Sequence, residues 1–155
     1  CPGVIRVPDP VGTGVRPLED ADLEAAAALD AAAFGVARPS LLSRIRSLAP
    51  GSAWCLGRTG RLRAVYLGRP GARYHYLGPV AAESLEEAQT LVTAAVHGLP
   101  GQPLVIDVPG AQKGMLDWLR TLGFTVQRPL IRMYRGDNVA GEPARCFAIA
   151  GPEVG

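Results

Sequence analysis

Between two segments with helical spacing of apolar residues, 84–96 and 111–122, lies the run Leu104-Val105-Ile106-Asp107-Val108. Five residues are too few for a helix. A run apolar on both sides of its alternation suits a strand buried on both faces. A strand flanked by helices implies a crossover rather than a hairpin, hence an α/β layout with this strand in the sheet interior. Ser84 caps the first helix, with Leu85, Ala88, Leu91, Val92, Ala95 and Val96 along one side and His97-Gly98 at its end.

Upstream, the pattern changes from period 3.6 to period 2. Residues 15–18 (VRPL) read as an edge strand, where a proline is tolerated. Asp20 caps an alanine-rich helix that ends at Gly35. Leu23, Ala27, Asp30 and Phe34 are expected along one side of it, flanked by Leu29 and Ala33. Ser40 opens a shorter helix closed by Pro50-Gly51. Residues 52–58 and 62–68 form a hairpin around Thr59-Gly60-Arg61, and 73–80 is a third strand. Beyond Gly123, residues 124–127, 130–135 and 145–150 are expected as further strands. The fold class is therefore α/β (α+β), a mixed and mostly antiparallel twisted sheet flanked by about four helices.

A chain of 155 residues holds one domain with a substantial core. Residues 1–14, with Pro2, Pro8, Pro10, Gly3, Gly12 and Gly14, read as a linker or lead-in, and 15–155 as the domain. The chain starts at Cys1 rather than Met, which suggests a fragment or a processed chain. The net charge is +2 and the arginines are dispersed, so nothing resembles the basic stripe of a nucleic-acid binder. No run approaches the roughly 18 apolar residues of a membrane span. Cys1, Cys55 and Cys146 are few, odd in number and far apart. That argues against a metal site or a disulfide framework and for a cytoplasmic location.

Several short stretches then carry a resemblance. Residues 116–124 (LDWLRTLGF), Tyr76-Leu77-Gly78-Pro79-Val80-Ala81, Ile106-Asp107-Val108-Pro109, Arg132-Met133-Tyr134-Arg135-Gly136 and the ending Phe147-Ala148-Ile149-Ala150-Gly151-Pro152 stand in an order similar to that of GNAT acetyltransferases. Together they resemble the C-terminal domain of bacterial tandem-GNAT proteins, over about residues 15–155. The resemblance implies acetyl transfer from acetyl-CoA to a small-molecule or peptide amine, and an upstream GNAT domain of the same chain as partner.

It also says where the parts should lie. Leu77, Gly78, Pro79 and Val80 match the strand that offers backbone groups to the acyl arm. Gly78-Pro79 marks a bulge there. Ser84 begins the helix that faces the pyrophosphate, and Gln112 matches an amide of the fourth helix. This sequence departs from the family at two places. The glycine-rich pyrophosphate loop is replaced by Ala81-Ala82-Glu83-Ser84-Leu85-Glu86-Glu87-Ala88, whose carboxylates oppose a phosphate. The proton-donating tyrosine of the fourth helix falls on Leu119. Acetyl-CoA binding is accordingly expected to be weak, with no metal involved.

His75 and Tyr134 are what remain as catalytic candidates. His75 could take a proton from an amine, although a lone strand histidine is more often a hydrogen-bonded structural residue. Asp107, costly if unpaired in an apolar strand, is expected to pair with Arg128 or Arg132. Two functions stand: an acetyltransferase domain, or a non-catalytic GNAT-like domain that packs on, or senses substrate for, an active partner domain.

Overall fold

A computed structural model describes residues 14–133, 135 and 141–154. Helices cover both faces of one six-stranded sheet. The elements are β1 (Arg16–Pro17), α1 (Leu23–Phe34), α2 (Pro39–Leu48), β2 (Ala53–Arg58), β3 (Arg61–Pro70), β4 (His75–Ala82), α3 (Leu85–His97), β5 (Leu104–Val105), α4 (Lys113–Thr121) and β6 (Cys146–Ala148). Strands β1 to β4 form an antiparallel meander, β5 joins β4 in parallel, and β6 pairs antiparallel with β4. This is the mixed, mostly antiparallel sheet with four helices that the sequence pattern implies.

Local chemistry explains the elements. Arg58 faces Arg61 across a two-residue turn, and Gly60 supplies the positive φ of 81° that such a turn needs. Proline stands in β1, at the sheet edge. Strand β3 splits its side chains by alternation. Ala64 and Tyr66 enter the core under α3 and α4, while Val65 and Leu67 enter the core under α1 and α2. Opposite Leu67, two residues of β4 stand against one of β3: Tyr66 pairs with Val80 and Gly68 with Leu77. The intervening Gly78-Pro79 is the expected bulge, and its peptide bond is cis.

Four expectations are corrected. Residues 124–127 form no strand, and neither do the described residues of 130–135; 125–133 are exposed and irregular, because no neighbouring strand pairs with them. The 104–108 strand is not interior. It is half-buried at the end of the sheet order, with a ladder at Leu104 and Val105 only. In α1 the buried side is Ala26, Leu29, Asp30 and Ala33; Phe34 stays half-exposed beneath the guanidinium of Arg38. Among the described residues Asp107 makes no close ion pair. Burial raises its carboxyl pKa, while Arg128 and Arg69 pull it down through space, and Arg132 stands over Phe34 instead.

Two buried ion pairs tie the first helices down. Asp22 is fully buried and receives both Arg16 Nη1 at 2.6 Å and Nη2 at 2.8 Å. Asp30, also buried, receives Arg38 through Nε at 2.7 Å and Nη2 at 3.0 Å. A buried carboxylate is tolerable only with such paired partners.

Candidate functional site

Strand β4 carries most of the sequence-predicted residues, and its surroundings decide what they can do. At its start, β5 lies alongside: His75 faces Leu104 and Tyr76 faces Val105. Further along, β6 takes over the same side, with Val80 facing Ala148 and Ala81 facing Cys146. The Ile149 N–H then donates to the Asp107 carbonyl at 3.0 Å. The segment 146–149 therefore sits in the slot where β4 and the chain after β5 part company.

This segment is packed, not draped. Phe147 and Ala148 are buried in the core beneath α3 and α4, and Ala150 in the core beneath α1 and α2. A Cβ at Gly78 would collide with the Ile149 carbonyl, so glycine is what allows the backbone this close. Polar contacts hold both ends. Gln112 Nε2 donates to the carbonyls of Pro143 at 2.8 Å and Ala144 at 3.1 Å. Arg69 donates to the Ala150 carbonyl and, through Nη2, to Glu153 at 2.6 Å. The Arg69 guanidinium also lies 4.4 Å above the Tyr76 ring. Arg38 Nη1 donates to the Val154 carbonyl at 3.0 Å.

The predicted residues are thus placed as follows. Leu77, Gly78, Pro79 and Val80 are buried on β4 beside this inserted segment. Gln112 spends its amide on the same segment. Ser84 is apart from them, capping α3 by accepting the Glu87 N–H at 3.3 Å. Tyr134 lies outside the described residues. Arg69, which sequence reading missed, carries no signal beyond being one arginine among many.

His75 opens β4 and is buried. Its Nε2 has no hydrogen-bond partner among the described residues, and burial lowers the imidazole pKa. Tyr66, across the bulge on β3, is fully buried; its hydroxyl is likewise unpartnered and its pKa is raised by burial. Both groups crowd the Cα of Gly68, where an added Cβ would meet the Tyr66 hydroxyl and come within 2.7 Å of His75 Nε2. Alternation places Tyr74 and Tyr76, both half-exposed, away from His75 as expected.

At the start of α3 a depression of about 370 Å³ is lined by Leu56, Arg63, Ser84, Glu86, Glu87 and Thr90. Arg63 Nη1 pairs with Glu87 at 3.1 Å. Glu83 and Glu86 are exposed and have no basic partner among the described residues. This end of the helix is therefore self-capped and acidic. A phosphate approaching its free N–H groups would meet uncompensated carboxylates. Among the described residues no group of three or more metal-ligating side chains converges.

Comparison with known proteins gives the family. The profile of the acetyltransferase (GNAT) domain matches residues 26–148. Holothin acyltransferase of Pseudoalteromonas sp. (strain SANK 73390) is 34% identical over 80 residues, which are 51% of this chain and 27% of that protein. The match thus spans about a quarter of the relative's length. TTHA1254 of Thermus thermophilus, solved as a point mutant, superposes with a TM-score of 0.57 at 17% identity, covering 80% of this chain and 97% of that one. At that identity the likeness concerns the fold alone.

Proposed function

The chain belongs to the acetyltransferase (GNAT) domain family, and from that premise we propose that this domain does not itself carry acetyl-CoA: it is a GNAT-like domain that packs on, or senses substrate for, a catalytic partner domain, for which an upstream GNAT domain of the same chain is the natural candidate. The observation that carries this reading is the inserted segment 146–149 beside β4. An acyl donor would need the exposed edge of that strand, and the chain's own backbone takes it. The cofactor therefore does not fit the residues present. Gln112 is engaged by the same segment, and the α3 start is acidic. The burial of His75 Nε2 argues against its serving as base for an incoming amine. No tyrosine stands on α4, where Leu119 is buried core.

Calorimetric titration of the chain with acetyl-CoA at moderate salt tests the reading, with thermal shift alongside. A ligand that binds only the folded state must raise the melting temperature. The expected result is neither heat nor shift. Micromolar binding would return the domain to acetyl transfer onto an amine acceptor, the reading that its family favours.

A further inference from the structure

Strand β5 and the residues after α4 leave two complementary surfaces unsatisfied. The Pro103 carbonyl accepts from His75 and the Asp107 carbonyl from Ile149. Odd-numbered residues of 103–107 therefore turn their backbone groups toward β4 and the inserted segment. By alternation, Leu104, Ile106 and Val108 turn theirs to the opposite, outer edge. Among the described residues no backbone group pairs with that edge. Yet Leu104 to Val108 is a run of β-forming residues, half-buried along its length.

The second surface is 125–133. Its apolar members stand in solvent: Val126 is 69% exposed, Leu130 44%, Ile131 88% and Met133 88%. None of 125–133 makes a backbone hydrogen bond among the described residues. These four residues together expose on the order of 500 Å² of largely apolar surface, near the upper end for a monomer and, with the backbone that would pair, close to the ~800 Å² per partner of a standard interface. An unpaired edge beside exposed β-forming residues is a template for strand addition.

We infer that residues 125–133 dock as an added strand along the outer edge of β5 in a second copy of this chain, reciprocally, so that each copy completes the other's sheet. Both halves of the contact are on one chain, which is what a two-fold, self-complementary interface requires. This inference does not depend on whether the domain binds acetyl-CoA.

Sedimentation equilibrium of the 155-residue chain across a wide concentration range, combined with amide hydrogen exchange above and below any dissociation point, tests it. The expected result is a dimer in which the Ile106 and Val108 amides are protected and become exchangeable on dilution, while the Leu91 amide stays protected throughout. The double variant V126E/I131E alters only exposed side chains. It should weaken the dimer at least tenfold, about 1.4 kcal/mol, with an unchanged circular dichroism spectrum. A chain that stays monomeric at every concentration overturns the inference. So does a dimer whose Ile106 and Val108 amides exchange freely, or one indifferent to V126E/I131E. The dilution experiment on the unaltered chain decides the matter even if that variant misfolds.

Discussion

Replacing Phe147 with alanine tests whether the inserted segment is part of the core or a surface strap. Phe147 is 3% exposed and packs in the cluster that contains Tyr66, Leu77, Leu91, Met115 and Leu119. Truncating a buried phenylalanine removes its transfer free energy and leaves a cavity, together about 3–5 kcal/mol. The surroundings relax poorly here. The backbone on either side is fixed by the Val80–Ala148 pairing and the Ile149–Asp107 hydrogen bond. For a domain of this size the loss corresponds to a fall in melting temperature of roughly 6–20 °C. Urea unfolding followed by fluorescence of the half-buried Trp54 and Trp118 gives the free energy directly. Phe147→Leu should recover most of the stability, the loss staying below about 1.5 kcal/mol if the cluster repacks. A cost for Phe147→Ala under about 1 kcal/mol would mean that the segment leaves the slot readily. The β4 edge would then be available, and the case against a bound acyl donor would lose its main support.

Leu119→Ala should cost about 2–5 kcal/mol in the same assay, since Leu119 is 4% exposed in the same cluster; a value under about 0.5 kcal/mol would displace α4. Tyr66→Phe removes a buried hydroxyl without a partner, so it should leave stability unchanged or raise it by up to about 1 kcal/mol, whereas a clear loss would reveal a partner for that hydroxyl. His75 has its folded-state pKa lowered by burial. Below the unfolded value of about 6.5 the unfolded chain therefore takes up the proton first, and stability falls as pH drops from about 7.5 through 6 toward the folded pKa. Asp107, raised by burial, acts in the opposite sense at lower pH, so the His75 share is read as the difference between the chain and His75→Gln; identical urea midpoints versus pH for the two would show that His75 titrates normally.

Much of the architecture was legible because it is written in local chemistry. The Thr59-Gly60 turn, the alanine-rich α1 and the Ser84 cap each act within a few residues, and the meander follows from them. The Gly78-Pro79 bulge was legible for the same reason. Where the sequence misled, the deciding partner was distant. An apolar run such as 104–108 reports that burial is available to it, not which strand provides it. Likewise 124–127 and 130–135 have strand-forming residues, but a strand exists only where a neighbour takes its hydrogen bonds. For the candidate site residues, what was not legible in the sequence is their surroundings. Leu77, Gly78, Pro79, Val80 and Gln112 do converge on one slot, yet nothing local says that Phe147 and its neighbours occupy it. Ser84 caps its own helix, as its position before an acidic first turn suggests.

The inserted strand also sets an order for synthesis. Val80 cannot pair with Ala148 until about seventy more residues have been made, which at ordinary translation rates takes roughly 3–14 s. Strands β2 to β4 and helices α1 to α3 can assemble long before that, from contacts close in sequence. For those seconds the nascent sheet has an open edge along β4, lined by the backbone of Leu77 to Ala81. A chain stalled or cut before Cys146 would keep that edge indefinitely, with the core around Phe147 unfilled. Such truncated chains are the ones expected to aggregate or to be held by chaperones, whereas the chain extended through Ala150 closes the edge with β6.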